Sequence, residues 1–439
     1  MQEAAGAGPI TVYGARGPLS VRQSKAVLAR VAAQAPDAGA LEHHLAAEQI
    51  VAESSLYAGN SVRVLRDGEQ TFPALFDAIA GAKHFLYLEY YIFEDIESGG
   101  RRLSDLLIDR RRAGVRVNVI YDAVGSLGTP ASFFDRLRAA GVQLVEYNPV
   151  NPLRAAGHYA PNLRDHRKLL LADDTVAILG GINLNKDESP APPAGGAREP
   201  QGSMTTRPVW HDLDVELRGP VVPEVSRVFR EHWRAQHGPP LEEDSRAGDA
   251  RNTGEPGRQI VRILGSSPEN LAARYYATIL TAIRTAESSI WITAAYFVPT
   301  HQELRAIEFA ARRGVDVRIL LPSHSDVSLI TPVQRSYYPA LLRAGVKLFE
   351  RSDGIVHTKS MVVDDVWSLV GSSNFDQRSV LFNDEVDAVV LGKATADQLR
   401  GDLEGDLQHA QRIGWGEVRR QGALERLKGR FWRLWERLL

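Results

Sequence analysis

The chain has 439 residues, with 52 lysines and arginines, 54 aspartates and glutamates, and no cysteine. The lack of cysteine excludes disulfides, thiol catalysis and cysteine-based metal sites. The formal charge of −2 excludes an overall positive field that would attract nucleic acid. No stretch approaches the roughly 18 consecutive apolar residues of a membrane-spanning helix, and residues 1–8 lack the features of a secretory signal. We therefore expect a soluble or peripheral cytoplasmic protein.

The first 59 residues are rich in alanine and predict two helices, over residues 24–33 and 41–54. Their apolar residues recur at helical spacing, which predicts packing on the domain that follows; the alternative is a helical arm that faces a membrane. The adjacent pair His43 and His44 is expected on the surface of the second helix.

From residue 60 onward, an α/β pattern runs through the chain twice. In the first half, predicted strands at 62–65, 84–93, 115–122 and 142–147 alternate with helices at 72–81, 103–113 and 132–140. In the second half, strands at 290–298, 315–321 and 346–350 alternate with helices at 271–286, 301–313 and 337–344. The repeated order indicates an internal duplication. Alternating strands and helices predict a mostly parallel sheet with helices on its faces.

The remaining stretches set the predicted domain boundaries. We predict an N-terminal helical segment over 1–59, a first domain over 60–236, a polar linker over 237–258, a second domain over 259–412, and a basic amphipathic helix over 413–439. The proline- and glycine-rich stretch 186–206 is interpreted as a lid or as a disordered surface insertion.

The predicted C-terminal helix is amphipathic. Its apolar residues lie at 424, 427, 431, 434, 435 and 438, and seven arginines and lysines surround them between 419 and 437. Such a helix lies in a membrane interface or docks its apolar face on the protein, and the sequence leaves both alternatives open.

One motif occurs in both halves with the same spacing. It is a histidine, a lysine two residues later and an aspartate five residues after that, followed by glycine, glycine or serine, any residue and asparagine. The copies are His166, Lys168, Asp173 and Asn183, and His357, Lys359, Asp364 and Asn374. The residues around each copy are apolar and partly β-branched, with two aspartates between the apolar runs. Each copy therefore predicts a strand, a tight turn and a returning strand.

This arrangement suits a phosphate ester. On a strand, positions i and i+2 share a face, so each histidine lies beside its lysine, and the returning strand brings the asparagine near the histidine. A neutral imidazole is a nucleophile, and lysine and asparagine donors stabilise phosphoryl oxygens. Two copies facing each other supply a nucleophile and an acid for the leaving group. The alternative is a pair of core hairpins that each carry a histidine by chance.

These two motifs resemble the phospholipase D superfamily, and the resemblance extends from about residue 62 to the C-terminus. It implies an α/β fold of two pseudo-symmetric α/β/α domains with mixed sheets and an active site at their interface, in a monomer that forms an internal pseudo-dimer. The first half, with Glu89-Tyr90-Tyr91, Asn148-Pro149 and Trp210-x-Asp212, is most similar to bacterial cardiolipin synthases. Because the chain carries no apolar N-terminal helices, it resembles the type without a membrane anchor.

The resemblance also implies roles for the candidate residues. The catalytic set is His166, Lys168, Asp173, His357, Lys359 and Asp364, and the substrate-binding set is Asn183, Asn374, Asp212 and Glu385. Asp212 and Glu385 match the family's carboxylate partners of the histidines. Asp173 and Asp364 belong to the motif, but their position at the turns predicts a structural role.

The implied reaction is phosphatidyl transfer between two phospholipids, with phosphatidylglycerol as donor and acceptor, through a phosphohistidine on His166 while His357 acts as acid and base. The alternative is a hydrolytic phospholipase D or another phosphodiesterase, including a nuclease-like enzyme. No metal and no other cofactor is expected. The expected partners are a phospholipid substrate and an anionic membrane surface, without nucleic acid, at the cytoplasmic face of the cell membrane.

Overall fold

A computed structural model describes residues 10–34, 38–51, 54–151, 160–188, 209–241, 256–268, 274–327 and 329–420, together with 422 and 431. Most of the stretch 186–206, the middle of the linker 237–258 and nearly all of the C-terminal helix beyond residue 420 lie outside these residues. The predictions of a lid and of a basic amphipathic surface therefore fall outside the described part of the chain.

The N-terminal segment and the first half contain these elements: β1 (Val12–Gly14), β2 (Gly17–Pro18), α1 (Val21–Ala32), α2 (Ala38–Val51), β3 (Leu56–Arg66), α3 (Asp67–Gly81), β4 (Phe85–Tyr90), β5 (Glu97–Ser98), β6 (Arg101–Arg102), α4 (Leu103–Arg112), β7 (Arg116–Asp122), α5 (Ala131–Ala139), β8 (Gln143–Tyr147), β9 (Arg164–Asp165), β10 (Lys168–Ala172), β11 (Val176–Gly180), β12 (Trp210–His211), β13 (Leu213–Arg218) and α6 (Val222–Ala235).

The second half contains these elements: β14 (Gln259–Ser266), α7 (Arg274–Thr285), β15 (Ser289–Ala294), α8 (His301–Arg312), β16 (Asp316–Pro322), α9 (Ile330–Ala344), β17 (Lys347–Arg351), β18 (Ile355–Val356), β19 (Lys359–Val363), β20 (Trp367–Gly371), α10 (Gln377–Leu381), β21 (Asn383–Leu391), α11 (Lys393–Leu407), β22 (Ala410–Ile413) and α12 (Trp415–Arg420).

The two halves form one continuous mixed sheet with an internal pseudo-twofold. Neighbouring strands of the first half follow the order β8, β7, β4, β10, β11, β13, β3. The second half repeats it as β17, β16, β15, β19, β20, β21, β14. Strands β3 and β14 pair with each other at the centre. The first three strands of each series are parallel and the others antiparallel, which agrees with the α/β class and mixed sheets predicted from the sequence.

Both motif hairpins are present where the sequence predicts them. Strands β10 and β11 pair with Ala172 opposite Val176, and β19 and β20 pair with Val363 opposite Trp367. Three residues separate the strands in each hairpin. The first two are aspartates, all four of which have φ between 51° and 55°, and the amide of the third donates back to the last strand residue, Thr175 to Ala172 and Val366 to Val363. Positive φ at both central positions is the geometry of a two-residue type I′ turn, and aspartate tolerates it better than most residues.

The N-terminal segment packs on the second half of the chain. Leu41 and Leu45 of α2 are buried in the same core cluster as Ile279 of α7. His44 is fully buried between Asp364 and Thr285, so the prediction that it lies on a surface helix was wrong. The apolar residues of α2 recur at helical spacing and predict which face contacts the protein. His44 lies on that buried face, and its burial is tolerated because both of its ring nitrogens have hydrogen-bond partners.

Two predicted strands end earlier than expected. The strand predicted over 84–93 ends at Tyr90, and the strand predicted over 290–298 ends at Ala294. In both cases the chain leaves the sheet beside a motif lysine, and the residues beyond form a wall of the site. At the C-terminus, Val418 of α12 is buried in the core, so the described start of the predicted C-terminal helix is docked. None of the described helices combines the length and apolarity needed to cross a bilayer.

Candidate active site

Both motifs lie at the carboxyl-terminal edge of the parallel strands. Lys168 begins β10 directly opposite Tyr90, the last residue of β4, and Lys359 begins β19 opposite Ala294, the last residue of β15. This edge is where open α/β sheets bind their ligands. The side chains of the motif histidines, lysines and asparagines are all buried, so a phosphate bound there would meet charges that water screens little.

Each motif histidine contacts a carboxylate that comes from the opposite half of the chain. His166 Nδ1 lies 3.1 Å from Glu385 Oε2, and His357 Nδ1 lies 2.6 Å from Asp212 Oδ2. The family resemblance implies these two carboxylates as histidine partners, and both make that contact, whereas their assignment to the substrate-binding residues has no support in this geometry. The crossing itself was not predicted, and it interlocks the two halves at the site.

The crossed contacts set the state of both imidazoles. A carboxylate at Nδ1 favours the tautomer with the proton on Nδ1, which leaves the Nε2 lone pair for a substrate. At His357 the Asp212 oxygen, at 2.6 Å, is closer to Nδ1 than Lys359 Nζ, at 2.9 Å. Burial, together with the charge of Lys168, lowers the pKa of His166 to about 4 although Glu385 acts in the opposite direction. Burial and Lys359 also lower the pKa of His357. Both rings are therefore neutral near pH 7 in the free protein, as a nucleophile requires.

The two lysines are held within a few ångströms of the histidines. Lys168 Nζ donates to the carbonyl oxygen of His166 at 2.6 Å, and Lys359 Nζ donates to that of His357. Lys359 Nζ also lies 3.7 Å from Asp212 Oδ2. Burial lowers the pKa of Lys168 to about 7, although Glu385 counteracts it. An arriving phosphate would restore full charge to this ammonium, since an adjacent anion favours the protonated form.

The carboxylates differ in how they are supported. Glu385 accepts hydrogen bonds from Ser372 Oγ at 2.5 Å and from Ser379 Oγ at 2.8 Å. The motif position of Ser372 is a glycine in the first half, Gly181, where a Cβ atom would lie 2.2 Å from Asp212 Oδ1. The first motif therefore needs a glycine beside Asp212, which leaves no room for a side chain, whereas the second motif has room for a serine that donates to Glu385.

The two asparagines have different partners. Asn183 Nδ2 donates to Glu188 Oε1 at 3.1 Å, and Asn183 Oδ1 accepts from the Ile92 amide at 3.2 Å. The backbone N–H of Asn183 also donates to Glu188, at 2.9 Å. In the second half the backbone N–H of Asn374 donates instead to Ser379 Oγ, at 3.0 Å. Burial, with the charge of Asp212, raises the pKa of Glu188 to about 8. Sequence reasoning missed Glu188, although its separation of five residues from Asn183 equals that of Ser379 from Asn374.

Asp173 and Asp364 lie at the far end of the hairpins and bind backbone amides. Asp173 accepts from the amides of residues 83, 84 and 85 at 2.6 to 2.8 Å, and Asp364 from those of residues 287, 288 and 289 at 2.7 to 2.9 Å. Each aspartate lies five positions after its motif lysine, which is about 16 Å along a strand. This geometry corrects their inclusion among the catalytic residues: they anchor each turn to the start of the neighbouring strand.

Aromatic rings form the walls of the site. The Tyr91 ring lies 5.4 Å from the ring of His166, and the rings of Trp210 and Tyr296 lie 5.3 Å and 6.1 Å from that of His357. Tyr296 OH donates to Asp326. Tyr91 and Tyr296 come just beyond the shortened strands β4 and β15, a position that sequence periodicity does not distinguish from a longer strand.

A buried ionic cluster lies behind His166. The guanidinium of Arg167 is 3.2 Å from Glu89 Oε1 and 3.5 Å from Asp384 Oδ1, and His232 Nδ1 is 2.7 Å from the same Glu89 oxygen. Glu89, Asp165 and His232 bring three possible metal-ligand atoms together, but Arg167 already supplies a positive charge to Glu89. The corresponding residue of the second half is Thr358, so the two halves differ here as well.

Comparison with known proteins extends the likeness over most of the chain. The family described as "Cardiolipin synthase, PLD-like domain" matches residues 75–189 and 279–407. A cardiolipin synthase of Halalkalibacterium halodurans is 32% identical over 84% of this chain and 70% of its own length. Cardiolipin synthase 1 of Bacillus cereus is 30% identical over 86% of this chain and 72% of its own length.

A solved structure has the same fold over nearly the whole chain. The crystal structure of phosphatidylserine synthase from Haemophilus influenzae superposes with a TM-score of 0.66, covering 90% of this chain and 100% of that chain at 13% identity. At this identity the likeness concerns the fold alone.

Proposed function

Because the chain belongs to the cardiolipin synthase family of phospholipase D-like proteins, we propose that it joins two molecules of phosphatidylglycerol into cardiolipin and releases glycerol. The protein is an enzyme of the phosphatidyltransferase class. The observation that carries the proposal is the pair of crossed histidine–carboxylate contacts, each beside a buried lysine. We infer that the two imidazoles, each with its Nε2 atom available, and the two lysines act on a single phosphodiester.

In the proposed first step, His166 Nε2 attacks the phosphorus of the donor lipid. The bond from phosphorus to the glycerol headgroup oxygen breaks, and His357 donates its Nε2 proton to that oxygen, so glycerol leaves. Although His357 is neutral in the free protein, an anionic phosphate beside it raises its pKa and favours the protonated form that an acid needs. The product of this step is a phosphatidyl group on His166.

In the second step, His357 takes the proton from a headgroup hydroxyl of a second phosphatidylglycerol. The hydroxyl oxygen attacks phosphorus, the bond to His166 breaks, and cardiolipin leaves. Lys168, Lys359 and the side-chain amides of Asn183 and Asn374 stabilise the charge on the phosphoryl oxygens in both steps. Asp212 and Glu385 orient the rings and stabilise whichever imidazolium is present.

We place this reaction at the cytoplasmic face of the cell membrane, on a peripheral monomer whose two halves act as an internal pseudo-dimer. The lipid substrates lie in the bilayer, and a surface negative charge follows from phosphatidylglycerol itself. A second candidate, hydrolysis by a phospholipase D route, uses the same first step with water as the acceptor. The two outcomes differ in whether the acceptor lipid or water reaches the phosphohistidine.

The test is incubation of the protein with phosphatidylglycerol vesicles, followed by chromatography of the lipids and assay of glycerol. Cardiolipin and glycerol in equal amounts are expected from the unaltered protein and neither from the His166→Ala variant. A matched control is His409→Ala, because the His409 side chain is mostly exposed and lies in the turn between α11 and β22; the activity of this variant should stay unchanged. Phosphatidic acid with glycerol, instead of cardiolipin, would replace the proposal with the hydrolytic function.

A further inference from the structure

Several exposed apolar side chains belong to segments at the edge of the sheet that carries the candidate active site. In the part of the chain that the structure describes, ten large apolar side chains are exposed. Six of them belong to segments that border the catalytic edge of the sheet, and these are Val124, Leu127, Val150, Val209, Val327 and Leu381. A soluble protein rarely exposes several such residues at one place unless they contact an apolar partner. We call these six residues the apolar rim.

Topology places the rim around the two histidines. Val124 and Leu127 follow the end of β7, Val150 follows β8 and Val327 follows β16, so all lie beyond the carboxyl ends of parallel strands. Val209 immediately precedes Trp210, whose ring contacts His357. Leu381 ends α10, in the segment that leads from Asn374 to Glu385. The rim therefore borders both halves of the site.

The loop that carries Val124 and Leu127 is rigidly built. Asp122 Oδ1 accepts hydrogen bonds from the amides of Val124 and Gly125 at 2.8 and 3.0 Å. Ser126 Oγ donates to the Tyr91 carbonyl at 3.2 Å, and Thr129 Oγ1 donates to the Phe93 carbonyl at 3.0 Å.

Within this framework the polar residues are buried while the apolar ones face outward. Ser126 and Thr129 are 5% and 8% exposed, whereas Val124 and Leu127 are 43% and 66% exposed. In a disordered loop the two hydroxyl groups would not be buried by specific hydrogen bonds while the leucine side chain stays exposed to solvent. The same loop is bonded to Tyr91, whose ring lies beside that of His166, so Leu127 belongs to a loop that also supports the wall of the site.

We propose that the apolar rim inserts into the boundary between the headgroups and the acyl chains of a phospholipid bilayer, so that the catalytic edge of the sheet faces the membrane. This inference rests on the proposed function, because a diacyl lipid that reacts at His166 and His357 must approach the catalytic edge of the sheet from the bilayer. A shallow apolar rim suits the boundary region, where scattered aliphatic side chains bind and the backbone stays near water. A second copy of the chain is the competing occupant.

The test uses the absence of cysteine from this chain. A single cysteine in the Leu127→Cys variant carries an environment-sensitive fluorophore, and the matched control is Phe309→Cys, since Phe309 is 56% exposed on α8 and is not part of the rim. With vesicles of phosphatidylglycerol and phosphatidylethanolamine, the emission at position 127 should shift to the blue and be quenched by lipids with a quencher in the acyl chain. Position 309 should stay in a water-like environment.

Three results would overturn the inference. They are a water-like label at position 127 on vesicle-bound protein, an equal response at position 309, and a concentration-dependent response at position 127 without vesicles, which would identify a second copy as the occupant. Sedimentation with vesicles gives an independent measure: Leu127→Glu should lower partition at least about tenfold, as expected for losing one buried leucine, and Phe309→Glu should leave it unchanged.

Substrate form separates this inference from the proposed function. Vesicle binding requires no turnover, and a water-soluble short-chain phosphatidylglycerol requires no vesicle. If position 127 inserts into vesicles but neither substrate yields cardiolipin, the proposed function is wrong and the proposal of membrane insertion is retained. If Leu127→Glu matches the unaltered protein in vesicle binding and in turnover of both substrates, the rim fails and the proposed function stands.

Discussion

His44 Nε2 lies 3.0 Å from Asp364 Oδ2, which joins the N-terminal segment to the hairpin that carries His357. The same carboxylate accepts the amides of residues 287, 288 and 289. Burial would raise the pKa of Asp364, but the hydrogen bonds from His44 and from these amides outweigh it and lower this pKa to about 2. The N-terminal segment thus supports the second motif from behind, about 16 Å of strand away from the lysine.

Replacement of His44 by alanine is expected to affect stability and not chemistry. The change removes a buried hydrogen-bond partner of Asp364 and of Thr285 and should lower the free energy of unfolding by about 1–3 kcal/mol. Denaturant unfolding measures this loss, and kcat per folded molecule should change less than about twofold. The exposed His409→Ala variant is the control. A large fall of kcat in a fully folded His44→Ala protein would show that the segment acts on the site itself.

The order of the two histidines can be tested with a donor that has a good leaving group. With a p-nitrophenyl phosphodiester, the leaving oxygen needs little protonation, so the acid matters less than the nucleophile. The His357→Ala protein should accumulate a phosphohistidine at residue 166, and the His166→Ala protein should form none, as measured by mass spectrometry of digested protein. A phosphohistidine at residue 357 in the His166→Ala protein would reverse the assignment.

The substitutions Gly181→Ser and Ser372→Gly should reduce the activity by different amounts. In Gly181→Ser the new Cβ meets Asp212 within 2.2 Å, so the carboxylate must move away from His357 and kcat should fall at least about tenfold. Ser372→Gly removes one hydrogen bond to Glu385, worth about 1 kcal/mol, and should cost less activity than Gly181→Ser. Thermal melting of both variants checks folding. Equal losses would mean that Asp212 does not hold His357 by its position.

Anion binding should be coupled to proton uptake through Lys168. In the free protein burial lowers the pKa of this lysine to about 7, so at pH 8 it is mostly neutral. A bound anion favours the charged form and raises the pKa, and the site therefore takes up as much as about one proton. Sulfate, which does not titrate in this range, is a suitable probe for calorimetry in two buffers of different ionisation enthalpy.

The Lys168→Met variant serves as the control for this measurement. Its proton uptake at pH 8 should be smaller than that of the unaltered protein, and at pH 5, where Lys168 is already charged, the two proteins should differ little through this group. Undiminished uptake in Lys168→Met would assign the proton to another group of the site.

The sequence predicts the hairpins and the site residues for local physical reasons. Apolar, partly β-branched runs around Asp173-Asp174 and Asp364-Asp365 predict a strand, a tight turn and a strand, and the repeated spacing identifies His166 and His357 as equivalent positions. The series of strands and helices in each half follows from the same kind of periodicity. Asp212 and Glu385 follow from the resemblance to the family, since nothing in their own surroundings distinguishes them from other carboxylates.

The rest depends on contacts between residues far apart in the chain. The spacing of residues within one half cannot show that Glu385 contacts His166, which lies 219 residues earlier in the chain. This contact depends on how the two halves are joined, through the pairing of β3 with β14. The burial of His44 depends on the groove beside α7, and Glu188 becomes notable only when its carboxylate is found on Asn183. The end of β4 at Tyr90 is likewise set by the ligand-binding edge and not by local propensity.

The crossed carboxylates have a consequence for the ancestry of the chain. Each motif histidine takes its carboxylate from the other half, so a single unit could have worked only by pairing with a twin, and joining two units end to end would have preserved both contacts. After the fusion, damage to Glu385 in the second repeat disables the histidine of the first, and damage to Asp212 disables that of the second. Selection therefore acts on residues of opposite repeats together, and neither repeat is free to decay while the other takes over its work.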